Sequence, residues 1–405
     1  MCEKTLALYR RLLQEQKRER SGKRLTVLQL LPELEGGGVE RGTLEMGRYL
    51  SKMGHRSLVV SGGGRLVPQL EAEGSWHIKY LVGSKSPLVL LHLWPLKRLI
   101  QRERVNILHL RSRMPAWAGI LACKMIPASQ RPLIVTTFHG FYSVNGYSAI
   151  MTRGDMIIAV SDGISRHIRQ KYGKVNIRLI YRGVDTEVFN PERVSRQDID
   201  RLKVKWELDE QRPVIMLPAR ITRLKGHDYF LKALVLVRGR NYQAVLVGDR
   251  ADNPGLVEEL EQLITENSLE PYVKFVGYSR DMPVALSLAD VVVSASSLEP
   301  EAFGRTTVEA MAMAKPVIAT AHGGSLETVL PGKTGWLVKP ADAEDLARAI
   351  EEFLAASPQT LAEYGRNGQK LVLEKFTTTN MCKQTTALYA ELVKARKMQK
   401  NQPDS

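Results

Sequence analysis

Glu299-Pro300-Glu301-Ala302-Phe303-Gly304-Arg305-Thr306-Thr307-Val308-Glu309-Ala310-Met311-Ala312 follows the apolar run Val291–Ser294, and its reading decides how the chain folds. The apolar run is strand-like. The stretch after it reads as a loop that turns at Gly304 into a helix over Thr306–Met313. Glu301 then lies in the loop and Glu309 about one turn into the helix, an E-x7-E pair. Ionised carboxylates accept hydrogen bonds from hydroxyls, the groups that sugar and ribose diols offer. Between the two carboxylates, the amides of Gly304 to Thr307 form a helix N-terminus suited to phosphate oxygens. Acidic residues at a helix start also satisfy the helix dipole by themselves, so the stretch alone leaves a structural reading open.

Strand-loop-helix is the repeating unit on either side of this stretch. Upstream and downstream of it, Val214–Leu217, Ala244–Val247, Val273–Val276 and Val317–Ala319 read as strands alternating with helical segments such as Leu256–Asn267. The first half repeats the plan. Leu25–Leu30, Ser57–Val60, Ile107–Leu110, Leu133–Thr137, Met156–Val160 and Arg178–Ile180 are its apolar runs, and Val39, Thr43, Met46 and Leu50 make a helical stripe closed by Gly54. Alternation of this kind gives an α/β chain with two doubly wound parallel sheets. In 405 residues it predicts a leader at 1–24, a first domain at 25–190, a polar linker at 191–212, a second domain at 213–375 and a C-terminal helix and tail at 376–405 that crosses back to the first domain. Ligands in open parallel sheets bind beyond the carboxyl ends of the strands, so the loops after them are where chemistry is expected.

Composition narrows the class. Hydrophobic residues make up 44% and charged residues 25% of the chain, which excludes a disordered or fibrous protein. Cys2, Cys123 and Cys382 are far apart and form no C-x-x-C pair, as expected of a reducing compartment without structural disulfides or zinc. The longest apolar stretch, Pro87–Leu96, is broken by His92 and Pro95 and has about half the length a membrane-spanning helix needs. The N-terminus has no signal-peptide pattern. A cytoplasmic protein is predicted. Of the net charge of +15, residues 1–182 hold 30 Lys/Arg against 12 Asp/Glu, whereas residues 183–405 hold 28 against 31. The basic half implies an anionic partner, with nucleic acid, anionic lipid headgroups and phosphorylated glycans all open, or it serves solubility alone. In the leader, Leu6, Tyr9, Leu12 and Leu13 share one helical face among arginines and lysines, which fits an anionic membrane surface or packing on a neighbouring domain.

Two further loops carry candidate residues. Gly36-Gly37-Gly38 follows the first strand and precedes a helix, where bare backbone can approach an anion or simply turn. It is not a dinucleotide fingerprint, since Arg41 stands where the last glycine of G-x-G-x-x-G would fall. After Val214–Leu217 comes Arg220-Ile221-Thr222-Arg223-Leu224-Lys225-Gly226, with an arginine and a lysine at a strand end; together they suit a diphosphate, singly they pass for solvated loop residues. The D-x-D at Asp198 and Asp200 lies in the polar linker and reads as a solvated helix face.

Taken together, E-x-F-G-x4-E-A-M-A, R-x4-K-G and Gly323-Gly324-Ser325-Leu326-Glu327 resemble the donor site of family-4 retaining glycosyltransferases. The resemblance covers nearly the whole chain after the leader. Gly37-Gly38-Val39-Glu40-Arg41, Thr137-Phe138-His139-Gly140, Gly183-Val184-Asp185 and Gly332-Lys333-Thr334-Gly335 follow in the family's order. It implies a GT-B fold, two Rossmann-like domains facing across a cleft. It implies that Arg220 and Lys225 hold the diphosphate, that Glu309 binds the ribose, and that Glu301 with Phe303 and Gly304 holds hydroxyls of the donor sugar. Gly37, Gly38, Thr306 and Thr307 join the donor set, and His139 faces the sugar. Ala219 and Arg182 depart from the glycine and asparagine common at their positions.

Within the family, the run Leu31 to Gly42, Arg111-Ser112-Arg113 and the stretch Phe138 to Gly146 are similar to bacterial lipopolysaccharide-core transferases. That likeness implies a nucleotide diphosphate sugar as donor, an anionic glycan or glycolipid as acceptor, and peripheral association with the inner face of the cytoplasmic membrane. Arg111 and Arg113, at a strand end, are candidates for the acceptor's phosphate or carboxylate groups. Fixed cations and helix amides would stabilise the leaving group, so no metal and no cofactor are expected. Rival readings are another GT-B sugar-nucleotide reaction, such as epimerisation or synthesis of a soluble disaccharide, and a basic nucleic-acid-binding protein. The last lacks a recognition-helix motif, and no nucleic-acid partner is expected.

Overall fold

The computed structural model describes residues 24–83 and 87–400, so the amphipathic leader expected over 1–24 lies, except for Arg24, outside the described residues. The chain forms two compact units. The first comprises the chain up to Val160, Ser165–Ile180 and everything from Cys382 on; the second comprises Ser161–Ile164 and Tyr181–Met381.

In the first unit, β1 (Thr26–Leu30), β2 (Arg56–Ser61), β3 (Trp76–Lys79), β4 (Ile107–Leu110), β5 (Leu133–Phe138), β6 (Met156–Ala159) and β7 (Ile177–Leu179) form one parallel sheet in the order β3-β2-β1-β4-β5-β6-β7. In β1, Val27, Leu28, Gln29 and Leu30 are all buried. Strands of a parallel sheet bury both faces, which is why these runs read as continuous rather than alternating apolar sequence. Leu28 registers with Leu58 on one side and Leu108 on the other. The C-terminal helix Thr378–Lys400 contributes Tyr389 to the same core, where its hydroxyl meets His109 Nδ1 at 2.6 Å. His109 Nε2 lies 2.6 Å from Thr137 Oγ1. Burial, with Arg111 adding to it, holds the His109 pKa well below the ordinary value, so the imidazole in this network is neutral.

The second unit repeats the design with β8 (Val214–Pro218), β9 (Gln243–Val247), β10 (Val273–Gly277), β11 (Val291–Ser294), β12 (Val317–Thr320) and β13 (Gly335–Val338), all parallel in the order β10-β9-β8-β11-β12-β13. Strand order therefore reverses between β1 and β4 in one sheet and between β8 and β11 in the other. Loops at such a reversal splay apart and leave a crevice at the carboxyl ends of the strands.

The two edge strands β3 and β13 have no counterpart in the sequence reading. Both are short and partly exposed, so neither shows a sustained apolar run. The expected linker at 191–212 also differs. It contains a helix, Arg196–Lys205, followed by Trp206 and Leu208, which are buried in the core of the second unit. The polar helix hid these two anchors, and the main segment of the second unit begins at Tyr181. Val184 pairs with Thr377 as an isolated parallel bridge, its amide donating to the Phe376 carbonyl at 2.8 Å. Gly183 sits so close that a Cβ there would come within 2.2 Å of the Thr377 carbonyl carbon.

Candidate active site

Loops after β8, β11 and β12, three adjacent strands at the reversal point, bring together most of the residues singled out in the second half. Lys225 is carried by the loop after β8, within the short 3-10 turn Arg223–Lys225. Gly226 follows with φ 67°, and a Cβ there would meet the Ala295 carbonyl oxygen at 1.9 Å. Only glycine lets this loop close against the end of β11. Lys225 Nζ donates to Glu301 Oε1 in an ion pair, and Ser296 Oγ donates to the same oxygen at 2.8 Å. Burial pushes the Glu301 pKa up, but Lys225, Ser296 and the nearby His322 outweigh it and hold the carboxyl below its ordinary value. Glu301 is thus an ionised, half-buried acceptor. The loop after β12 packs beneath it. Gly324 donates to the Glu301 carbonyl at 2.7 Å, and a Cβ on Gly323 would lie 2.2 Å from that same oxygen. Arg220 is exposed and makes no ion pair with any described residue.

The helix Arg305–Ala312 starts from Gly304, which is left-handed at φ 80°, and no side chain caps it. Its N-terminal amides therefore lack the side-chain acceptor that helix starts commonly carry. Phe303 anchors the loop in the core edge-on to Phe376, at 5.6 Å between ring centroids. Glu309 is only 8% exposed and accepts from Arg305 Nε at 2.7 Å. Thr306 is half-buried and Thr307 buried beside Gly304. The second unit thus sets the Lys225–Glu301 pair just ahead of an uncapped helix start, with Glu309 and Arg305 on that helix. Such a set can hold a group that is anionic at one end and rich in hydroxyls at the other.

The candidates in the first unit are placed differently from expectation. Gly37 caps the helix Gly38–Lys52 in extended backbone, and Glu40 lays its own carboxylate over it: a Cβ on Gly37 would come 2.4 Å from Glu40 Oε2. The dipole that would attract a ligand anion here already attracts Glu40. Arg111, a candidate for the acceptor's phosphate or carboxylate groups, is buried. It is 4% exposed and donates to Gln29 Oε1 at 2.8 Å, and burial lowers its pKa against the opposing pull of Tyr389, Cys382, Glu45 and Glu40. A guanidinium so enclosed supports the sheet's carboxyl edge and is not a surface contact. Arg113 is half-buried, donates to Ser148 Oγ at 3.3 Å and lies over the rings of Tyr142 and Tyr147 at 4.9 and 5.3 Å. His139 follows β5 and is half-buried.

Comparison with known proteins assigns the family. Residues 36–188 match Glycosyltransferase Family 4, and residues 198–371 match Glycosyl transferases group 1. The crystal structure of a glycosyltransferase from Rickettsia africae ESF-5 superimposes with a TM-score of 0.85 at 33% identity, over 92% of this chain and 99% of that one. The chain is a family-4 glycosyltransferase of the GT-B fold. Among curated relatives, the N-acetyl-alpha-D-glucosaminyl L-malate synthase of Bacillus anthracis is 26% identical over 90% of this chain and 96% of its own. The lipopolysaccharide core biosynthesis mannosyltransferase LpcC of Rhizobium leguminosarum bv. viciae is 25% identical over 75% of this chain and 82% of its own.

For this glycosyltransferase, linear motifs located Lys225, Glu301 and Glu309 but missed the residues that converge on them from elsewhere. Ser296, five residues before Glu301 in the same loop, and His322, from the loop after β12, have as their only sequence signal a position just past a strand end. Arg305 is the unremarked x of the motif, placed by its i, i+4 spacing to Glu309. His227, directly after Gly226, is 2% exposed, and burial pulls its pKa down to about 4, with Asp228 opposing and Lys225 reinforcing the shift. Because the folded value lies below the unfolded 6.5, the unfolded state takes up the proton first as pH falls. Stability from this group is complete above pH ~6.5 and lost between there and pH ~4, about 3 kcal/mol in all. Urea unfolding at pH 7 and pH 5 should show the loss in the wild type and less of it in His227→Gln; equal losses in both would assign the acid sensitivity elsewhere.

Proposed function

We propose that this glycosyltransferase moves a sugar from a nucleotide diphosphate sugar to an anionic glycan or glycolipid at the inner face of the cytoplasmic membrane, with retention of configuration and without a metal. The observation that carries the donor reading is the cluster of Lys225, Glu301 and Ser296 beside the uncapped helix start at Gly304. On this reading, Arg220, Lys225 and the amides of Gly304 to Thr307 take up the charge that develops on the departing diphosphate. Glu301, with Phe303 and Gly304, takes the hydroxyls of the sugar. Glu309, oriented by Arg305, takes those of the ribose. Arg220, Lys225 and a helix dipole supply the positive charge for which other transferases use a divalent ion. His139 is proposed to contact the transferred sugar, so His139→Ala would lower kcat and leave nucleotide affinity unchanged.

The acceptor reading rests on the basic first unit, on Arg113 and on the likeness to LpcC. A second reading is favoured by the relative from Bacillus anthracis: a small dicarboxylic acid as acceptor, which the same cations would suit. Product analysis with the two acceptor classes separates them.

Thermal melting with UDP, GDP, ADP and CMP and their sugars, all in EDTA, tests the donor site. One nucleotide family should raise the Tm, by an amount that a ligand at a hundredfold excess over Kd gives, about 2.7 kcal/mol of stabilisation. Glu309→Ala should abolish the shift. A shift that appears only when a divalent ion is restored would overturn metal independence, and no shift with any nucleotide would overturn the donor reading.

A further inference from the structure

Between Glu73 and Glu103 the chain carries Lys79, Lys85, Lys97, Arg98 and Arg102 and no acidic residue. The same stretch holds an apolar cluster that the first unit does not bury. A 3-10 turn, Pro87–His92, runs into the helix Leu93–Arg102. The helix turns Leu96, Leu99 and Ile100 into the core, while Leu90, Leu91 and Trp94 are 60%, 69% and 50% exposed. Tyr80, just past β3, stacks on His92 at 5.5 Å. The Arg98 guanidinium lies 3.3 Å over the Trp94 ring.

Exposed leucines and a tryptophan ringed by cations, on an element too short to span a bilayer, match the chemistry of the membrane interface. Apolar tips enter the acyl boundary, tryptophan sits at headgroup level, and lysine and arginine meet anionic headgroups. A second copy of the chain is the poorer occupant, because a two-fold contact would set this basic surface against itself. An aqueous role is poorer still, since three adjacent large apolar side chains gain nothing from water.

We propose that the surface formed by Leu90, Leu91 and Trp94, with Lys97 and Arg98 at its rim, docks the first unit onto a bilayer bearing anionic headgroups. The docking deepens the proposed membrane acceptor and rests on that reading for its purpose, while the binding is measured without donor or acceptor, so the two fail separately.

The test uses the full chain and vesicles of phosphatidylcholine, with and without phosphatidylglycerol. The wild type should sediment with the anionic vesicles and not with the neutral ones. The double variant Leu90→Ser, Leu91→Ser should lose about thirtyfold or more in partitioning, as expected when two leucines no longer leave water, with its Tm unchanged. Brominated lipid should quench the wild-type tryptophan fluorescence, and Trp94→Phe should remove that quenching. A leader variant, Leu12→Asp with Leu13→Asp, should still bind. Undiminished binding of the double variant, quenching that survives Trp94→Phe, or binding lost only in the leader variant would each overturn the proposal. So would a dimer in sedimentation equilibrium that disappears in the double variant when no vesicle binding occurs, which would assign the surface to a second copy.

Discussion

Lys225→Ala should lower kcat/KM with the cognate donor by about a thousandfold, the scale on which single preorganised donors to a developing anion act. Two effects combine. On the proposed reading the departing diphosphate loses a fixed cation, and Glu301 loses the partner that holds its pKa down. With Lys225 gone, burial dominates and the Glu301 carboxyl moves up. In the wild type the depressed value keeps Glu301 ionised as pH falls, and its contribution is lost only in acid, below the ordinary carboxylate range. In the variant the acid limb of the kcat/KM profile should therefore move to higher pH. Lys225→Arg, which keeps the charge but changes the geometry, should restore the position of the limb and only part of the rate. A loss under tenfold, or an acid limb that stays in place, would remove Lys225 from the centre of the site.

Gly226→Ala should destabilise the second unit by about 3 kcal/mol or more, lowering Tm by roughly 6–12 °C for a unit of this size. The left-handed backbone accounts for only about 1–2 kcal/mol of this. The remainder comes from the Ala295 carbonyl, which a methyl would meet at 1.9 Å with no flexible side chain able to yield. The two loops it holds together carry Lys225 on one side and Ser296 on the other, so nucleotide binding should fall as well. Gly239→Ala is the control. Gly239 has φ 93° and nothing within 4 Å of a Cβ. It should show the backbone cost alone and leave binding intact; equal losses in the two variants would mean that the close approach at Ala295 contributes nothing.

These cases show what was legible in the sequence. Both doubly wound sheets could be read because buried parallel strands are continuous apolar runs, as in Val27 to Leu30 and Val291 to Val293. The placement of Lys225, Glu301 and Glu309 at the carboxyl ends of β8 and β11 could be read because R-x4-K-G and E-x7-E each place their residues within one loop and the turn beyond it. His322 could not be read, since nothing local in the chain says that the loop after β12 meets the loop after β11 at Glu301. Arg111 was misplaced for a related reason: a charge count sees a cation and not the Gln29 and Tyr389 that enclose it. The boundary near residue 181 was masked because Trp206 and Leu208 are two apolar anchors within a polar stretch, and an amphipathic average dilutes them.

The bridge between Val184 and Thr377 has a consequence for how the chain is assembled. Apart from the four residues Ser161–Ile164, the second unit is a single insertion whose first and last segments are hydrogen-bonded side by side. Its two ends are therefore one location in space, and Gly183 is the hasp that lets them touch. A polypeptide of residues 181–381 has its termini already closed, so it should fold as a self-standing cassette and keep the proposed nucleotide site. The half proposed to bind the donor is then a removable module, joined to its host almost entirely through one pair of adjacent chain ends.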